Sequence, residues 1–127
     1  MTKSVIFTEN APAAIGPYSQ AISSGDLVFT SGQLGIDAIS GDLGANIEEQ
    51  TKNSLNNIKA VLQKEGLDFS NILKTTIFMT NLADFGKVNE IYATYFAQDF
   101  PARSTIQVAG LPKGGLIEIE VIASKNL

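Results

Sequence analysis

The sequence predicts an α+β domain in which two helices lie on one face of a mixed β-sheet, with the element order β-β-α-β-α-β-β. Two observations predict this class: two segments carry apolar residues at helical spacing, and short runs rich in β-branched and aromatic residues lie around them between turn-forming clusters. A chain of 127 residues is long enough to bury its own core without disulfides or a structural metal, so residues 1–127 are expected to form one domain.

The first half is predicted to contain a hairpin, a loop and a helix. Tyr18–Ser23 and Leu27–Ser31 are β-prone and are separated by a Ser-Gly-Asp turn. Residues 33–45 contain three glycines and are interpreted as a loop. Asn46 has the side chain of a helix N-cap, and apolar residues follow it at helical spacing until Gly66 ends the helix.

The second half is predicted to contain a strand, a helix and two final strands. Ile72–Thr80 is rich in β-branched and aromatic residues, which favours a strand. Asp84 is expected to cap the second helix, and Pro101 forbids the continuation of that helix. The final strands are expected at Arg103–Ala109 and Leu116–Ser124, joined by a turn that contains proline and glycine. The buried stripe of the second helix is predicted to consist of Val88, Ile91, Tyr92 and Tyr95.

Three predicted strands are apolar on both alternating faces, at Leu27–Phe29, Ile77–Met79 and Val121–Ala123. Such a pattern is typical of a sheet that is covered on both sides. Because two helices cover only one side, we expect the second face to be buried in a closed, symmetric homo-oligomer. The alternative is that the loop at residues 33–45 folds over this face.

The composition excludes several classes of chemistry. The sequence contains no cysteine and no histidine, which removes thiolate nucleophiles, disulfides, and the commonest zinc ligand and neutral-pH base. Its 9 basic and 13 acidic residues give a formal charge of −4 without a basic stripe, so nucleic acid is not an expected partner. No stretch reaches the roughly 20 apolar residues of a membrane span, and the first residues lack the apolar segment of a signal peptide. We therefore expect a cytoplasmic protein without membrane contact.

The last quarter of the sequence carries the charged residues best suited to chemistry. Arg103 begins a strand, and its planar guanidinium suits a carboxylate; the alternative is a surface arginine that pairs with an acid. Glu118 and Glu120 share one face of a strand whose other face is apolar. They are either a solvated face or, inside an assembly, carboxylates that need partners. We expect Arg103 and a carboxylate to lie on neighbouring strands.

Three further positions have both a structural and a functional interpretation. Tyr18 stands beside a Gly-Pro turn, and Gly32 ends a strand where another group can approach the backbone closely. Asn89 lies next to the buried stripe of the second helix. The spacing of glycines and acids matches neither a phosphate-binding loop nor a calcium-binding loop.

Six blocks of sequence, in this order, resemble the Rid family of reactive-intermediate deaminases, also called the YjgF family. The blocks are Asn10–Gln20, Thr30–Gln33, Lys74–Thr76, Val88–Asn89, Pro101–Ser104 and Ile117–Glu120. The resemblance spans essentially the whole chain and implies a chorismate-mutase-like fold. It also implies a homotrimer with three clefts, each between neighbouring subunits, which agrees with the two-sided sheet.

The resemblance further implies an activity, the hydrolysis of reactive 2-imino acids to 2-oxo acids and ammonia. The substrates would be 2-aminoacrylate with 2-iminopropanoate, and 2-iminobutanoate, which pyridoxal-phosphate enzymes release from serine or threonine. Arg103 would bind the substrate carboxylate, and Glu118 would position or activate water. The residues expected to shape the cleft are Tyr18, Ser31, Gly32, Asn89 and the backbone at Thr105. No cofactor and no metal are expected, because a protonated imine is already a strong electrophile.

Three positions depart from the family pattern, and two other functions stay open. Thr105 stands where cysteine is frequent, Gln107 where glutamate is frequent and Gly110 where arginine is frequent, so substrate range is expected to differ. One other function is a non-catalytic regulatory protein that binds a 2-oxo acid in the same cleft; Glu118 favours the enzyme over it. The other is a ribonuclease or translation-inhibitor role, which the negative charge and the missing histidine disfavour.

Overall fold

The computed structural model of the protein describes residues 2–127 as two layers, a mixed β-sheet and a pair of helices packed on one of its faces. Within these residues the sheet has seven strands. The elements are β1 (Lys3–Ile6), β2 (Ala21–Ser24), β3 (Leu27–Thr30), β4 (Gln33–Leu34), α1 (Ile47–Gln63), β5 (Ile72–Met79), α2 (Phe85–Ala93), β6 (Ala102–Gln107) and β7 (Ile117–Ser124). Short 3-10 turns occupy Phe69–Asn71, Leu82–Asp84 and Pro112–Gly114. The predicted α+β class is confirmed.

The strand order along the sheet is β1-β2-β3-β7-β5-β6, and β4 also pairs with β7. Every pair is antiparallel except β5 with β6, which is parallel and is connected through α2. β7 occupies one edge of β5, so β6 returns from α2 to the other edge. The expectation that Arg103 and Glu118 lie on neighbouring strands is therefore wrong, because β5 separates β6 from β7.

Two strands were not predicted from the sequence. β1 is an edge strand with three of its four residues exposed, and it exists through antiparallel pairing with β2. β4 lies inside the segment interpreted as a loop, and it pairs with Glu118 and Ile119 near the start of β7. Both depend on partners distant in sequence, so neither has a local signal. The hairpin is confirmed, but its first strand begins at Ala21 and Tyr18 lies outside it.

The helix starts differ in how well the sequence predicts them. Asn46 caps α1 as expected, since its side-chain oxygen accepts a hydrogen bond from the Glu49 amide at 2.9 Å. The expected cap at Asp84 is wrong, because Asp84 makes no side-chain cap bond. Asn81 instead caps the 3-10 turn that leads into α2, by accepting a bond from the Ala83 amide at 3.0 Å. The chain has thus already turned helically when it reaches Asp84, which has φ −86° and ψ 6°.

Helix α1 contributes one apolar stripe to the core, and its polar residues hydrogen-bond to the segment after β3. Its buried apolar residues are Ile47, Leu55, Ile58, Val61 and Leu62. Ser54 donates a hydrogen bond to the Gln33 carbonyl at 2.7 Å, and Asn57 donates one to the Ile36 carbonyl at 2.8 Å. Gln50 donates another to the Gly44 carbonyl at 3.0 Å. Residues 33–45 are therefore fastened to α1, so the alternative in which they cover the second face of the sheet is wrong.

The face of the sheet opposite the helices stays uncovered within the single chain. Val28 and Ile77 are fully buried on the helix side, whereas Leu27, Phe29 and Ile106 keep 38%, 41% and 45% of their surface exposed. This uncovered apolar face is the pattern from which an oligomer is predicted. Among the residues described, no helix is both long and apolar enough to cross a membrane.

Candidate active site

Glu118 lies in an open cavity of about 570 Å³ beside the N-terminal segment. Its strand, β7, turns Ile117 and Ile119 into the core, so Glu118 projects from the uncovered face of the sheet. Tyr18 and Gly32 line the same cavity. The structure thus brings together three of the residues that the sequence analysis selected.

Gly32 makes room for the Glu118 side chain. A Cβ atom at position 32 would lie 2.6 Å from Glu118 Cδ and 2.8 Å from Glu118 Oε1, much closer than van der Waals contact. The carboxylate therefore rests against the backbone at Gly32. Any larger residue at this position would displace it, and the displacement would fall on a flexible side chain rather than on the backbone.

The carboxyl group of Glu118 is easier to protonate than an ordinary glutamate. Partial burial raises its pKa, and the negative charge of Glu120 on the same strand face raises it further. A carboxylate whose pKa is moved towards neutrality is better suited to accept a proton in a reaction. Burial and the neighbouring acid thus give Glu118 the properties of a candidate base.

The backbone around Tyr18 is fixed by side chains behind it. The Ser31 hydroxyl donates to the Ser19 carbonyl at 2.6 Å, and the Ser31 amide donates to the Gln20 carbonyl at 2.9 Å. Gln20 is buried, accepts a bond from the Thr8 amide at 2.8 Å and donates one to the Pro12 carbonyl at 2.9 Å. This supporting role of Gln20 was not predicted, because a single sequence does not distinguish a buried glutamine from an exposed one.

Arg103 lies in a second, smaller cavity of about 280 Å³ next to α2. Its guanidinium carbon is 5.0 Å from the centre of the Tyr92 ring and 5.4 Å from that of Phe85. Arg103 is the only arginine in the sequence. Within residues 2–127 the one ion pair joins Lys125 to Glu65, so Arg103 has no acidic partner there. The interpretation of Arg103 as a surface arginine paired with an acid is wrong, and its N–H donors remain available to a ligand.

Two buried polar atoms near Arg103 have no hydrogen-bond partner among the described residues. They are Asn89 Oδ1 and Thr105 Oγ1. Asn89 lines the cavity of Arg103, and Thr105 lies two residues beyond Arg103 on β6. Leaving a buried polar atom unsatisfied costs free energy. Both atoms are therefore suited to contact a group that enters this side of the protein.

The two cavities cannot act together within one chain. Arg103 pairs in register with Thr75, which is buried on the helix side, so Arg103 lies on the helix side as well. Glu118 projects from the opposite face, and β5 lies between their strands. Within one chain, Arg103 and Glu118 therefore do not share a cavity. Among the described residues, no three acidic, histidine or cysteine side chains form a group that could hold a metal ion.

Two comparisons with known proteins give matches over nearly the whole chain. The model of the Endoribonuclease L-PSP family matches residues 8–125, and a crystal structure of the Rid-family protein YyfA from Yersinia pestis matches with a TM-score of 0.94. This chain belongs to the Rid/YjgF family. The YyfA structure is 54% identical and covers 97% of this chain and 99% of its own.

Two other relatives of this Rid-family chain are a named deaminase and a protein whose structure contains a bound amino acid. The 2-iminobutanoate/2-iminopropanoate deaminase of Mus musculus is 48% identical over 122 residues, which are 95% of this chain and 90% of the mouse protein. The structure of Escherichia coli TdcF, solved with bound serine, is 43% identical with a TM-score of 0.92. It covers 95% of this chain and 98% of the TdcF chain. The family and fold expected from the resemblance are thereby confirmed.

In this Rid-family chain, Glu120→Gln is expected to lower the pKa of Glu118, because it removes a negative charge that disfavours ionisation. In the wild type, Glu118 is expected to titrate above the ordinary value of 4.5. A titration of the carboxyl carbons by ¹³C NMR measures the pKa of Glu118 in the wild type and in Glu120→Gln. Glu48→Gln removes the same charge at the start of α1 and serves as the control. An equal pKa change in both variants would show that only net charge matters.

Proposed function

We propose that this protein hydrolyses small reactive 2-imino acids, 2-iminopropanoate and 2-iminobutanoate, to 2-oxo acids and ammonia. The observation that carries the proposal is Arg103, the sole arginine of the sequence. It lies in a cavity, has no acidic partner within residues 2–127 and offers free N–H donors. Such a group suits a small carboxylate. The near full-length similarity to proteins named as 2-iminobutanoate/2-iminopropanoate deaminases agrees with it.

We infer that each site forms between two copies of the chain in a closed homotrimer. One copy supplies Arg103 and Asn89, and its neighbour supplies Glu118, Tyr18 and Gly32. Three observations support this arrangement. The two cavities lie on opposite faces of the sheet, no acidic residue among those described lines the cavity of Arg103, and the sheet face around Glu118 exposes apolar side chains. Assembly would bury that apolar face and bring the opposite charges together.

In this mechanism Arg103 holds the substrate by its carboxylate. Two parallel N–H···O bonds fix both the position and the plane of the carboxylate, and hence of the adjacent imine carbon. Asn89 Oδ1, which lacks a partner, would accept a hydrogen bond from the substrate. The backbone at Thr105 would bound the cleft, while Ser31 would act indirectly by holding the segment that carries Tyr18.

Glu118 then directs water to the imine carbon. The substrate reacts as the protonated imine, C=NH₂⁺, which needs no metal or cofactor to become electrophilic. Glu118 accepts a proton from water as the C–O bond forms, and returns it to nitrogen. As the C–N bond breaks and the C=O bond forms, the proton of the new hydroxyl group passes through Glu118 to the departing ammonia. The products are a 2-oxo acid and ammonium, so atoms and charge balance. Because residue 32 is glycine, the carboxylate can lie against the backbone there, in the position from which it would reach water.

Two competing functions make different use of the same residues. A regulatory protein that binds 2-oxo acids would need Arg103 but not Glu118 with its raised pKa. A ribonuclease, as in the family name, would need a basic surface for phosphates and a general base. The chain has a formal charge of −4 and no histidine, which argues against that chemistry.

Glu118→Gln is expected to reduce turnover by about 100-fold or more, because it removes the base while keeping size and hydrogen bonding. The assay adds the protein to a threonine or serine dehydratase and measures release of 2-oxo acid from the imine. Glu48→Gln is the charge-matched control and should keep the wild-type rate. Binding of 2-oxobutanoate should persist in both variants.

Two outcomes would contradict the proposal. Wild-type protein that binds 2-oxobutanoate but does not accelerate its formation would favour the regulatory function. A Glu118→Gln protein with the wild-type rate would show that Glu118 is not the base.

Gly32→Ala is expected to abolish most turnover without unfolding the protein. The added methyl group would occupy the place of the Glu118 carboxyl group, whose flexible side chain can move away. Thermal unfolding and the dehydratase-coupled assay measure the two effects. Gly86→Ala adds the same methyl group where no heavy atom lies within 4 Å, so it should leave both nearly unchanged. Full activity in Gly32→Ala would mean that the position of Glu118 against residue 32 does not matter.

A further inference from the structure

The guanidinium of Arg103 is held by aromatic rings rather than by an acid. Tyr92 and Phe85, both on α2, place their ring centres 5.0 and 5.4 Å from its central carbon. Rings at this distance attract a cation through their π faces. A π face occupies none of the five N–H donors of an arginine, so the group is oriented while its donors stay free.

The Tyr92 ring is itself immobilised from behind. It is only 3% exposed, and its hydroxyl shares a 2.8 Å hydrogen bond with the hydroxyl of Thr75, which is 1% exposed. Its other neighbour is Phe96, stacked at 4.8 Å between ring centres. Burial raises the pKa of the Tyr92 hydroxyl more than Thr75 and Arg103 lower it, so the ring stays neutral at physiological pH. Arg103 therefore meets an aromatic face and not a phenolate.

Thr75 connects this support to the sheet. Thr75 and Arg103 are paired in register on β5 and β6, so the residue that anchors the ring lies directly beside the arginine. Phe85 lies at the start of α2 and is 38% exposed, so it contributes less to the core than Tyr92 does. The arginine is thus supported by a rigid buried ring and by a second ring near the surface.

We propose that Phe85 and Tyr92 are positioning residues that preorganise Arg103 for the substrate carboxylate, with the Thr75 hydroxyl fixing the Tyr92 ring. This inference rests on the proposed function, in which Arg103 binds the carboxylate. An arginine without this support samples many rotamers and must lose that freedom when a ligand binds. Loss of one ring should therefore weaken carboxylate binding while the arginine and its charge remain.

The first readout is spectroscopic and needs no substrate. Because Arg103 is the only arginine, its Nε–Hε group gives one signal in a ¹H–¹⁵N spectrum. Ring currents should move this signal upfield from the position of a free arginine. Phe85→Leu should move it back towards that position, and Phe85→Tyr, which keeps the ring, should restore it. Phe85 is the residue to change because its partial exposure lets the variant fold.

The second readout is binding and turnover. Phe85→Leu should raise the Kd for 2-oxobutanoate and the KM for the imine about 5- to 20-fold, with kcat changed less than about 3-fold. Phe85→Tyr should restore the wild-type values. In an Arg103→Gln background, Phe85→Leu should raise the Kd for 2-oxobutanoate by no more than about a further 2-fold, because the ring acts only through the arginine.

Tyr95→Leu is the matched control. Tyr95 belongs to the same aromatic cluster through Phe69, but it does not contact Arg103. Its loss should lower stability and leave both the arginine signal and the Kd unchanged. An equal rise in Kd for Tyr95→Leu and Phe85→Leu would show that the rings contribute only to packing, and it would overturn the proposal.

Other outcomes are equally decisive. A wild-type arginine signal at the free position, or an unchanged Kd in Phe85→Leu, would overturn the positioning role. Failure of the proposed function is distinguishable, because wild-type protein would then bind 2-oxobutanoate without deaminating imines, and the Kd series would still decide the role of the rings. Absence of any 2-oxobutanoate binding by the wild type would overturn both.

Discussion

β5 lies between β6 and β7 in the sheet, and this position determines which residues can meet within one chain. β7 takes one edge of β5 in antiparallel pairing, and α2 returns the chain to the other edge, where β6 pairs in parallel. This order separates Arg103 from Glu118. The register of the two pairings directs them to opposite sides of the sheet, because Arg103 pairs with Thr75 and Glu118 with Phe78. The strand order also leaves one sheet face without a helix, so the same topology that divides the site exposes the apolar surface through which a second copy could complete it.

Glu118 and Arg103, the two charged residues of the candidate site, each contact neighbours that do not neutralise their charge. Glu118 rests against Gly32, and partial burial with Glu120 raises its pKa, yet no lysine or arginine pairs with it among the described residues. Arg103 rests against two aromatic rings, which attract its charge and leave its donors free. In a chain without histidine or cysteine, these contacts leave an acid and a cation available for the proposed reaction.

The parts of the fold that could be predicted are those with local causes. The Asn46 cap and the alternation along β7 follow from neighbouring residues, and both were predicted correctly. β1, β4 and the order of β6 around β5 depend on pairing between distant segments, so the sequence alone gave no signal for them. The prediction of Asp84 as the cap of α2 was wrong because two good capping residues, Asn81 and Asp84, lie three positions apart. Asn81 caps a 3-10 turn that precedes α2, and the sequence does not show that this turn exists.

The candidate site shows the same division. Glu118, Arg103 and Gly32 were selected by residue type, strand position and family resemblance, and the structure places each in or against a cavity. Other contacts have no signal in the local sequence. Gln20 hydrogen-bonds to the segment before Tyr18, and the Phe85 and Tyr92 rings contact Arg103. Tyr92 was assigned only to the buried stripe of α2. Its contact with Arg103 becomes visible only when β6 lies beside β5.

Subunit complementation decides whether the proposed site is shared between two copies of the chain. Arg103→Gln and Glu118→Gln proteins, each inactive alone, are unfolded together, refolded as a 1:1 mixture and assayed for imine deamination. In randomly mixed trimers, three quarters are mixed and each of these has one complete site of three, so about a quarter of wild-type activity should return. Activity no greater than the sum of the two variants, in trimers shown to be mixed, would contradict a shared site and require both residues to act within one chain.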